Sequence, residues 1–153
     1  MADLKIDSPK EVRSGEELNQ ALLNDYLQAQ DTAFPTIVEI AQFPGGYSNL
    51  TYLLKTAQGA EFVLRRPPFG AKNIKGGHDM GREFKVLKAV KEAGYHKVPT
   101  PIAYCEDESV MGCPFYVMER VQGVILRSSN ALKLNLDSSQ FKAASEALVD
   151  NMV

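Results

Sequence analysis

Two glycines and two small polar residues stand together in the stretch FPGGYSNLTYLL, residues 43–54. A glycine has no Cβ, so Gly45 and Gly46 allow the backbone to come close to a ligand. Ser48 and Asn49 add side-chain donors beside the bare amides, and such a set of donors suits phosphate oxygens. A glycine pair in a hairpin is more often only a turn. Phosphate binding therefore needs support from another part of the chain.

The glycine stretch does not match two common phosphate-binding motifs. A dinucleotide-binding turn leads from a strand into a helix, whereas strand-like runs flank this stretch on both sides. A P-loop ends in Gly-Lys-Ser/Thr, which does not follow here. The remaining interpretation is a hairpin tip whose amides fold over a ligand.

An acidic residue on the apolar side of a predicted helix is the second candidate for chemistry. The apolar stripe consists of Met80, Phe84, Leu87 and Val90. Because helical positions turn by about 100° each, Glu83 falls within this stripe. A carboxylate there is costly unless it is paired, and the nearest basic residues are Arg65 and Arg66 on the preceding strand. Phosphoryl-transfer enzymes place such a pair beside nucleotide phosphates. The spacing leaves equally open that Glu83 reaches solvent at the edge of the stripe.

Charge and length limit the classes of partner. The 153 residues include 17 basic and 19 acidic side chains, and they are interspersed along the chain. No basic field is available to attract a nucleic acid or an anionic membrane, so we expect a small ligand. No window approaches the roughly 18 apolar residues of a membrane span, and the N-terminus has no signal-peptide core. We therefore expect a cytoplasmic protein.

The two cysteines, Cys105 and Cys113, lie eight positions apart and have no further cysteine or histidine at the spacing of a zinc site. Zinc binding is therefore not expected. Reduced, half-buried thiols are the favoured interpretation for a chain without an export signal. A disulfide between neighbouring strands stays open.

These candidates need a scaffold, and the first predicted element is a helix over residues 15–30. Ser14 and Glu17 form a capping-box pattern at its start. Its main apolar stripe is Leu18, Leu22 and Tyr26, with Leu23 and Leu27 as further candidates.

Short strand-like runs follow. Strands are predicted at residues 37–43, 49–56, 61–66, 102–107 and 114–120. The second and third are joined by a tight turn in which Gly59 is available for a positive φ angle. Three strands that follow one another directly pair antiparallel. One helix, about residues 79–93 and ended by Gly94, is inserted after the third strand.

The C-terminal part is predicted to contain a short extended piece after Gly123 and then a helix. Asp137 and Gln140 form its capping box, and the helical pattern runs to the last residue without a C-terminal cap. Together these elements predict an α+β fold, built on a five-stranded antiparallel sheet with one inserted helix.

Five motifs, in their order and spacing, resemble the N-terminal lobe of the aminoglycoside phosphotransferase (choline kinase-like) family, which has a protein-kinase-like fold. The motifs are GGYSNLTYLL, FVLRRPP, HDMGREFKVLKAV, VPTPIAYCED and GCPFYVMERVQG. The resemblance covers about residues 30–153 and is greatest to the branch whose kinase-like domain also occurs ahead of acyl-CoA dehydrogenase domains. It implies an N-terminal extension and helix at 1–30, a nucleotide-covering lobe at 31–123, and a linker with the first helix of the C-terminal lobe at 124–153.

The resemblance implies a role in ATP binding for two groups of residues. The phosphate-covering loop would be formed by Gly45, Gly46, Ser48 and Asn49. Arg65 would contact the α- and β-phosphates, and Glu83 would orient it. Strand alternation lets only one of Arg65 and Arg66 face the cleft, and Arg65 is preferred.

The stretch YVMERVQG resembles the hinge between the lobes. Met118 would flank the adenine, and the Glu119 carbonyl and Val121 amide would pair with its edge. Four apolar residues are plausible walls of the cleft, although spacing alone makes each of them ordinary core: Ile40, Tyr52, Val63 and Met118.

The chain departs from the family pattern where the chemistry should be. The family carries a His-Gly-Asp-type catalytic loop and a magnesium-binding aspartate in its C-terminal lobe. His78 precedes Asp79 but lies before the hinge, and His96 has no carboxylate nearby. We therefore expect a lobe fragment that has no turnover alone and binds ATP weakly. The ligands of Mg²⁺ and the site for a small hydroxyl acceptor would lie in the missing lobe.

Three further expectations follow from this interpretation. The surface that faces the second lobe would be exposed and could drive self-association. A phosphate-binding module without chemistry is an alternative function. A structural domain in which Arg65 and Glu83 only lock the fold is another.

Overall fold

The computed structural model describes residues 8–44, 48–70, 79–123 and 136–151. The chain divides into two compact units, one formed by Ser8–Val121 and the other by Met1–Asp7 with Gln122–Val153. The first unit contains the sheet and the candidate site. The extended piece predicted after Gly123 lies outside the described residues.

A five-stranded antiparallel sheet forms the centre of the first unit, as the sequence predicts. Its strands are β1 (Ile37–Gln42), β2 (Leu50–Thr56), β3 (Glu61–Arg66), β4 (Pro101–Cys105) and β5 (Phe115–Glu119). Their spatial order is β1-β2-β3-β5-β4. The turn between β2 and β3 contains Gly59 with φ of 83°, the positive angle that its position predicts.

Helix α1 (Gln20–Gln30) begins later than the predicted start at residue 15. The predicted capping box is wrong, because the Glu17 carboxylate accepts from the backbone N–H of Gly15 instead of closing a helix on Ser14. Tyr52 of β2 donates to the Glu16 carbonyl, which ties this segment to the sheet as a turn. Asn19 caps the helix by accepting from the N–H of Leu22.

The buried side of α1 is also rotated relative to the predicted stripe. Leu23 and Leu27 are fully buried, whereas Leu22 is exposed. The reason is that α1 packs flat on one face of the sheet, where Leu23 and Leu27 join the core. Leu18 and Tyr26 pack only against its margin.

Helix α2 (Met80–Glu92) is inserted between β3 and β4 and follows its predicted boundaries closely. Asp79 caps its first turn by accepting from the N–H of Arg82. Gly94 follows its end with φ of 89°, which is the signature of a helix stop. A four-residue helix, α3 (Glu108–Met111), joins β4 to β5 and was not predicted, because one helical turn carries no periodic signal.

The two faces of the sheet have different roles. Tyr52 and Leu54 of β2, Leu64 of β3 and Val117 of β5 share the core with α1. Because neighbouring residues of a strand point to opposite faces, the residues between them point towards α2.

Both cysteines are free thiols, and both are buried. The expectation of reduced thiols is confirmed, and their burial is more complete than expected. The structure has no disulfide between Cys105 and Cys113, which was the alternative left open.

Helix α4 (Ser138–Asp150) belongs to the second unit and begins with the predicted capping box. The Asp137 side chain accepts from the N–H of Gln140, and the Gln140 side chain accepts from the N–H of Asp137. None of the described helices combines the length and apolar character that a bilayer crossing requires.

Candidate functional site

A single row of side chains crosses the α2 side of the sheet. Strand register places Thr51 opposite Arg65, Arg65 opposite Tyr116, and Tyr116 opposite Tyr104. These four positions lie on one face, since directly paired residues of antiparallel strands point the same way. The row brings an arginine and two tyrosines beneath helix α2.

Arg65 pairs with Glu83 of α2. Its Nη1 atom lies 3.3 Å from Glu83 Oε2, and both side chains are 32% exposed. The Arg65 Nε atom is buried and has no hydrogen-bond partner among the described residues. The guanidinium is therefore held on one side by a carboxylate and retains an unused donor.

Asn49 connects the glycine stretch to the same carboxylate. Its Nδ2 donates to Glu83 Oε1 at 3.0 Å, and the residue is only 5% exposed. Asn49 lies three residues after the second glycine and immediately before β2, so the bond joins this part of the glycine stretch to α2.

Tyr116 completes the set of donors to Glu83. Its hydroxyl donates to Glu83 Oε2 at 2.9 Å. The pKa of Tyr116 is raised to about 12, chiefly by burial. The Arg65 guanidinium acts to lower this pKa, and the Glu83 carboxylate acts to raise it. The phenol therefore stays protonated and remains a donor over the neutral pH range.

Arg66 has a different environment. It is buried on the opposite side of the strand, where its Nη1 donates to the carbonyl of Met111 at 3.4 Å. Its guanidinium also lies over the Phe69 ring, 3.7 Å from the centroid. Of the two arginines, Arg65 is thus the one that meets Glu83.

A cavity of about 440 Å³ opens beside the ion pair. Its lining residues are Arg65, Asp79, Arg82, Glu83, Val86, Leu87, Pro99, Tyr116 and Met118. The lining combines charged with apolar residues, which is the usual composition of a small-molecule pocket. Three residues that the sequence analysis selected, Arg65, Glu83 and Met118, meet here.

The predicted hinge residues beyond Met118 are not part of this lining. The Glu119 carboxylate accepts from the N–H and the hydroxyl of Thr100, at 3.1 Å and 2.7 Å. These bonds lower the pKa of Glu119 below its usual value. The Glu119 N–H donates to the Thr100 carbonyl, and Val121 is exposed. Their predicted backbone contacts with an adenine stay predictions.

The glycine stretch is described only in part. Gly45 and Gly46 lie outside the described residues, and Ser48 is exposed. Among the predicted loop residues, the structure therefore locates Asn49 in the site, through its bond to Glu83.

The four wall candidates divide between the two faces of the sheet. Tyr52 and Ile40 belong to the α1 side, where Tyr52 is fully buried and Ile40 packs on the core. They are core residues and do not line the cavity. Val63 is paired with Met118 on the other face, so strand alternation separates the candidates that spacing alone left together.

Tyr116 is the residue that the sequence analysis missed. A usable signal was present, because Tyr116 and Met118 are two positions apart on β5 and so share a face. The partner of its hydroxyl could not be read from the sequence, since Glu83 comes from a helix far along the chain.

Comparisons with known proteins agree with this architecture. Residues 39–150 match the family described as "Phosphotransferase enzyme family". Acyl-CoA dehydrogenase family member 11 from Homo sapiens is 44% identical over 108 residues, which cover 71% of this chain and 14% of that protein. Acyl-CoA dehydrogenase family member 10 from Mus musculus is 36% identical over 125 residues, which cover 81% of this chain and 11% of that protein. The chain thus spans a small part of these relatives.

A solved structure shares the fold. A candidate aminoglycoside phosphotransferase from Ralstonia eutropha JMP134 superimposes with a TM-score of 0.57 and 33% identity, covering 72% of this chain and 30% of that one. This likeness confirms the α+β, kinase-like fold, and the named relatives confirm the predicted branch. With its match over residues 39–150, the chain belongs to the phosphotransferase enzyme family.

Proposed function

We propose that this chain is the nucleotide-binding lobe of an ATP-dependent phosphotransferase that acts on the hydroxyl group of a small molecule. The observation that carries the proposal is the Arg65–Glu83 pair at the edge of a cavity, joined by Asn49 to the end of a glycine stretch. A guanidinium paired with a carboxylate at a cavity presents donors that nucleotide phosphates need.

The residues of the cavity fit a nucleotide triphosphate. Arg65 and Arg82 both line the cavity, and their guanidinium groups are suitable donors to anionic phosphate oxygens. Met118 also lines the cavity and offers an apolar contact for a base. Gly45, Gly46 and Ser48 would cover the phosphates, and the backbone of Glu119 and Val121 would meet the adenine edge.

Mg²⁺ would be held elsewhere. The two carboxylates of the cavity are already engaged, because Asp79 caps α2 and Glu83 accepts from three side chains. Within the described ranges there is no group of three side chains that could hold a metal ion. We assign the magnesium ligands, the catalytic aspartate and the acceptor site to a second lobe, so this chain alone should bind nucleotide without turnover.

The first test is calorimetric titration of the chain with ATP up to millimolar concentration, with and without Mg²⁺. We expect weak, saturable binding that Arg65→Met weakens at least about tenfold, because charge-assisted hydrogen bonds contribute roughly 1.5–3 kcal/mol. The same change should lower the free energy of unfolding by only about 1 kcal/mol, since both partners are partly exposed.

Arg13→Met is the matched control. It also removes one arginine from an ion pair, that with Glu16, at a place outside the cavity lining. ATP affinity should be unchanged in this variant. Equal losses in both variants would point to a general charge effect. No saturation at millimolar ATP would contradict nucleotide binding by this chain. A large loss of stability in Arg65→Met with unchanged ATP affinity would instead indicate that the Arg65–Glu83 pair only stabilises the fold.

A further inference from the structure

The carboxylate of Glu83 is held by side chains from three strands. Asn49 precedes β2 and donates to Oε1, while Tyr116 of β5 donates to Oε2. Arg65 of β3 meets the same Oε2 atom. Both oxygens are therefore engaged, and their positions are fixed by the sheet rather than by α2 alone.

The ion pair by itself would not fix the arginine. A single contact of 3.3 Å between two side chains that are each 32% exposed leaves both free to rotate. Two neutral donors on the carboxylate remove that freedom on the Glu83 side, because they hold the plane of the carboxylate. The guanidinium of Arg65 then meets an acceptor whose orientation is already set.

We infer that Asn49 and Tyr116 are positioning residues that act on nucleotide through Glu83 and Arg65. Asn49 also follows the glycines directly in the chain and bonds to α2, so a ligand that binds the glycine stretch would be sensed at the helix. The inference rests on the proposed nucleotide role of Arg65. It gives Asn49 a different task from direct donation to phosphate, because its amide already faces Glu83.

A simpler interpretation is that Asn49 and Tyr116 only satisfy their own buried polar atoms. Buried donors need some partner, and Glu83 could be that partner without any effect on Arg65. Tyr104 supplies the comparison, because it is the direct cross-strand neighbour of Tyr116 on the same face. Its hydroxyl donates to Glu106 at 3.1 Å rather than to Glu83.

The test is the ¹H–¹⁵N signal of the Arg65 Nε–H group in the full chain, assigned by its disappearance in Arg65→Lys. Tyr116→Phe and Asn49→Leu each remove one donor to Glu83. We expect each to speed the exchange of this proton with water at least about tenfold, the factor that corresponds to about 1.4 kcal/mol. Tyr104→Phe should leave the exchange rate within about twofold.

An unchanged Arg65 signal in folded Tyr116→Phe would overturn the inference, and so would an equal effect of Tyr104→Phe. Should Asn49→Leu not fold, Tyr116→Phe carries the test alone, because it removes only a hydroxyl. Titration of the wild-type chain with ATP on the same signal tests the nucleotide role separately. A signal that responds to Tyr116→Phe but not to ATP would support the positioning role of Tyr116 and would contradict the binding of ATP at Arg65.

Discussion

At the scale of single residues, the Glu83 carboxylate joins the parts of the candidate site, because Arg65, Asn49 and Tyr116 all contact it. Its place in an apolar stripe signals a carboxylate that needs a partner, and Arg65 at the end of the preceding strand is the nearest one. That pairing was predictable because strand and helix follow each other in the chain. The bonds from Asn49 and Tyr116 depend on three strands meeting in space, so local spacing contains no signal for them.

The buried phenol of Tyr116 predicts a loss of stability in alkali. Burial raises its pKa to about 12 in the folded chain, above the ordinary tyrosine value of about 10. A raised pKa means that the folded state holds the proton more tightly than the unfolded state. The protonated phenol therefore makes its full contribution to the free energy of unfolding below about pH 10, and this contribution is lost as pH rises towards 12. Each unit of pKa corresponds to about 1.4 kcal/mol.

Urea unfolding between pH 8 and pH 11.5 checks this prediction. Tyr116→Phe should be less stable than wild type at pH 8, because Glu83 loses a donor. The difference should shrink as pH rises, since only the wild-type phenol must stay protonated. A difference in stability that stays constant across the pH range would show that the pKa of Tyr116 is the same in the folded and the unfolded chain.

At the scale of elements, close packing sets the position of α2. Phe84 stacks on Tyr104 with ring centroids 5.6 Å apart. Gly81 lies so near this tyrosine that a Cβ added to it would stand 2.7 Å from the hydroxyl oxygen. A side chain larger than glycine at this place would therefore force Tyr104 or α2 to shift, and α2 also carries Glu83.

Gly81→Ala should consequently destabilise the chain, although alanine is otherwise favoured in a helix by about 1 kcal/mol over glycine. The clash forces Tyr104 or α2 to shift. Because the nearest atom is the hydroxyl oxygen, Tyr104→Phe should relieve much of the effect. A double-mutant cycle on the free energy of unfolding measures this coupling, for which we expect about 1 kcal/mol. Additive effects would contradict the close approach.

The elements themselves were largely predictable, and two exceptions lie at the ends of helices. Strand alternation, the Gly59 turn, the Gly94 stop after α2 and the capping box at the start of α4 are local signals, and the structure agrees with them. The predicted uncapped end of α4 is wrong, because the helix ends at Asp150 and the backbone N–H of Asn151 bonds to the carbonyls of Leu148 and Val149. The start of α1 is not local. Its predicted capping box yields to contacts with the sheet, such as the bond from Tyr52 to the Glu16 carbonyl. At such places tertiary contacts outweigh the local preference for a helix.

At the scale of the whole molecule, the family membership concerns a chain that covers 14% of one relative and 11% of another. The proposed lobe supplies a cover for nucleotide and leaves the acceptor undefined. Residues that select a hydroxyl compound would lie mostly in the second lobe, so the aminoglycoside in the name of the structural neighbour is not carried over to this chain.

Helix α4 provides a candidate surface for self-association that differs from the lobe-facing surface named in the sequence analysis. Phe141 and Leu148 lie two turns apart on one side of the helix and are 66% and 64% exposed. Burying such side chains against a second copy of the chain would stabilise a dimer by roughly 1.5–3 kcal/mol for each side chain. We expect the sedimentation mass of the wild-type chain to rise above 16.9 kDa with concentration.

The double change Phe141→Ser and Leu148→Ser should weaken this association at least about tenfold, because it replaces both apolar side chains. Leu22→Ser is the matched control, since Leu22 is an exposed leucine on the surface of α1 in the other unit. Sedimentation velocity over a range of concentrations compares the double variant with the control. If the control weakens association as much as the double change, the exposed side of α4 is not the contact. A wild-type chain that stays monomeric at all concentrations would contradict self-association itself.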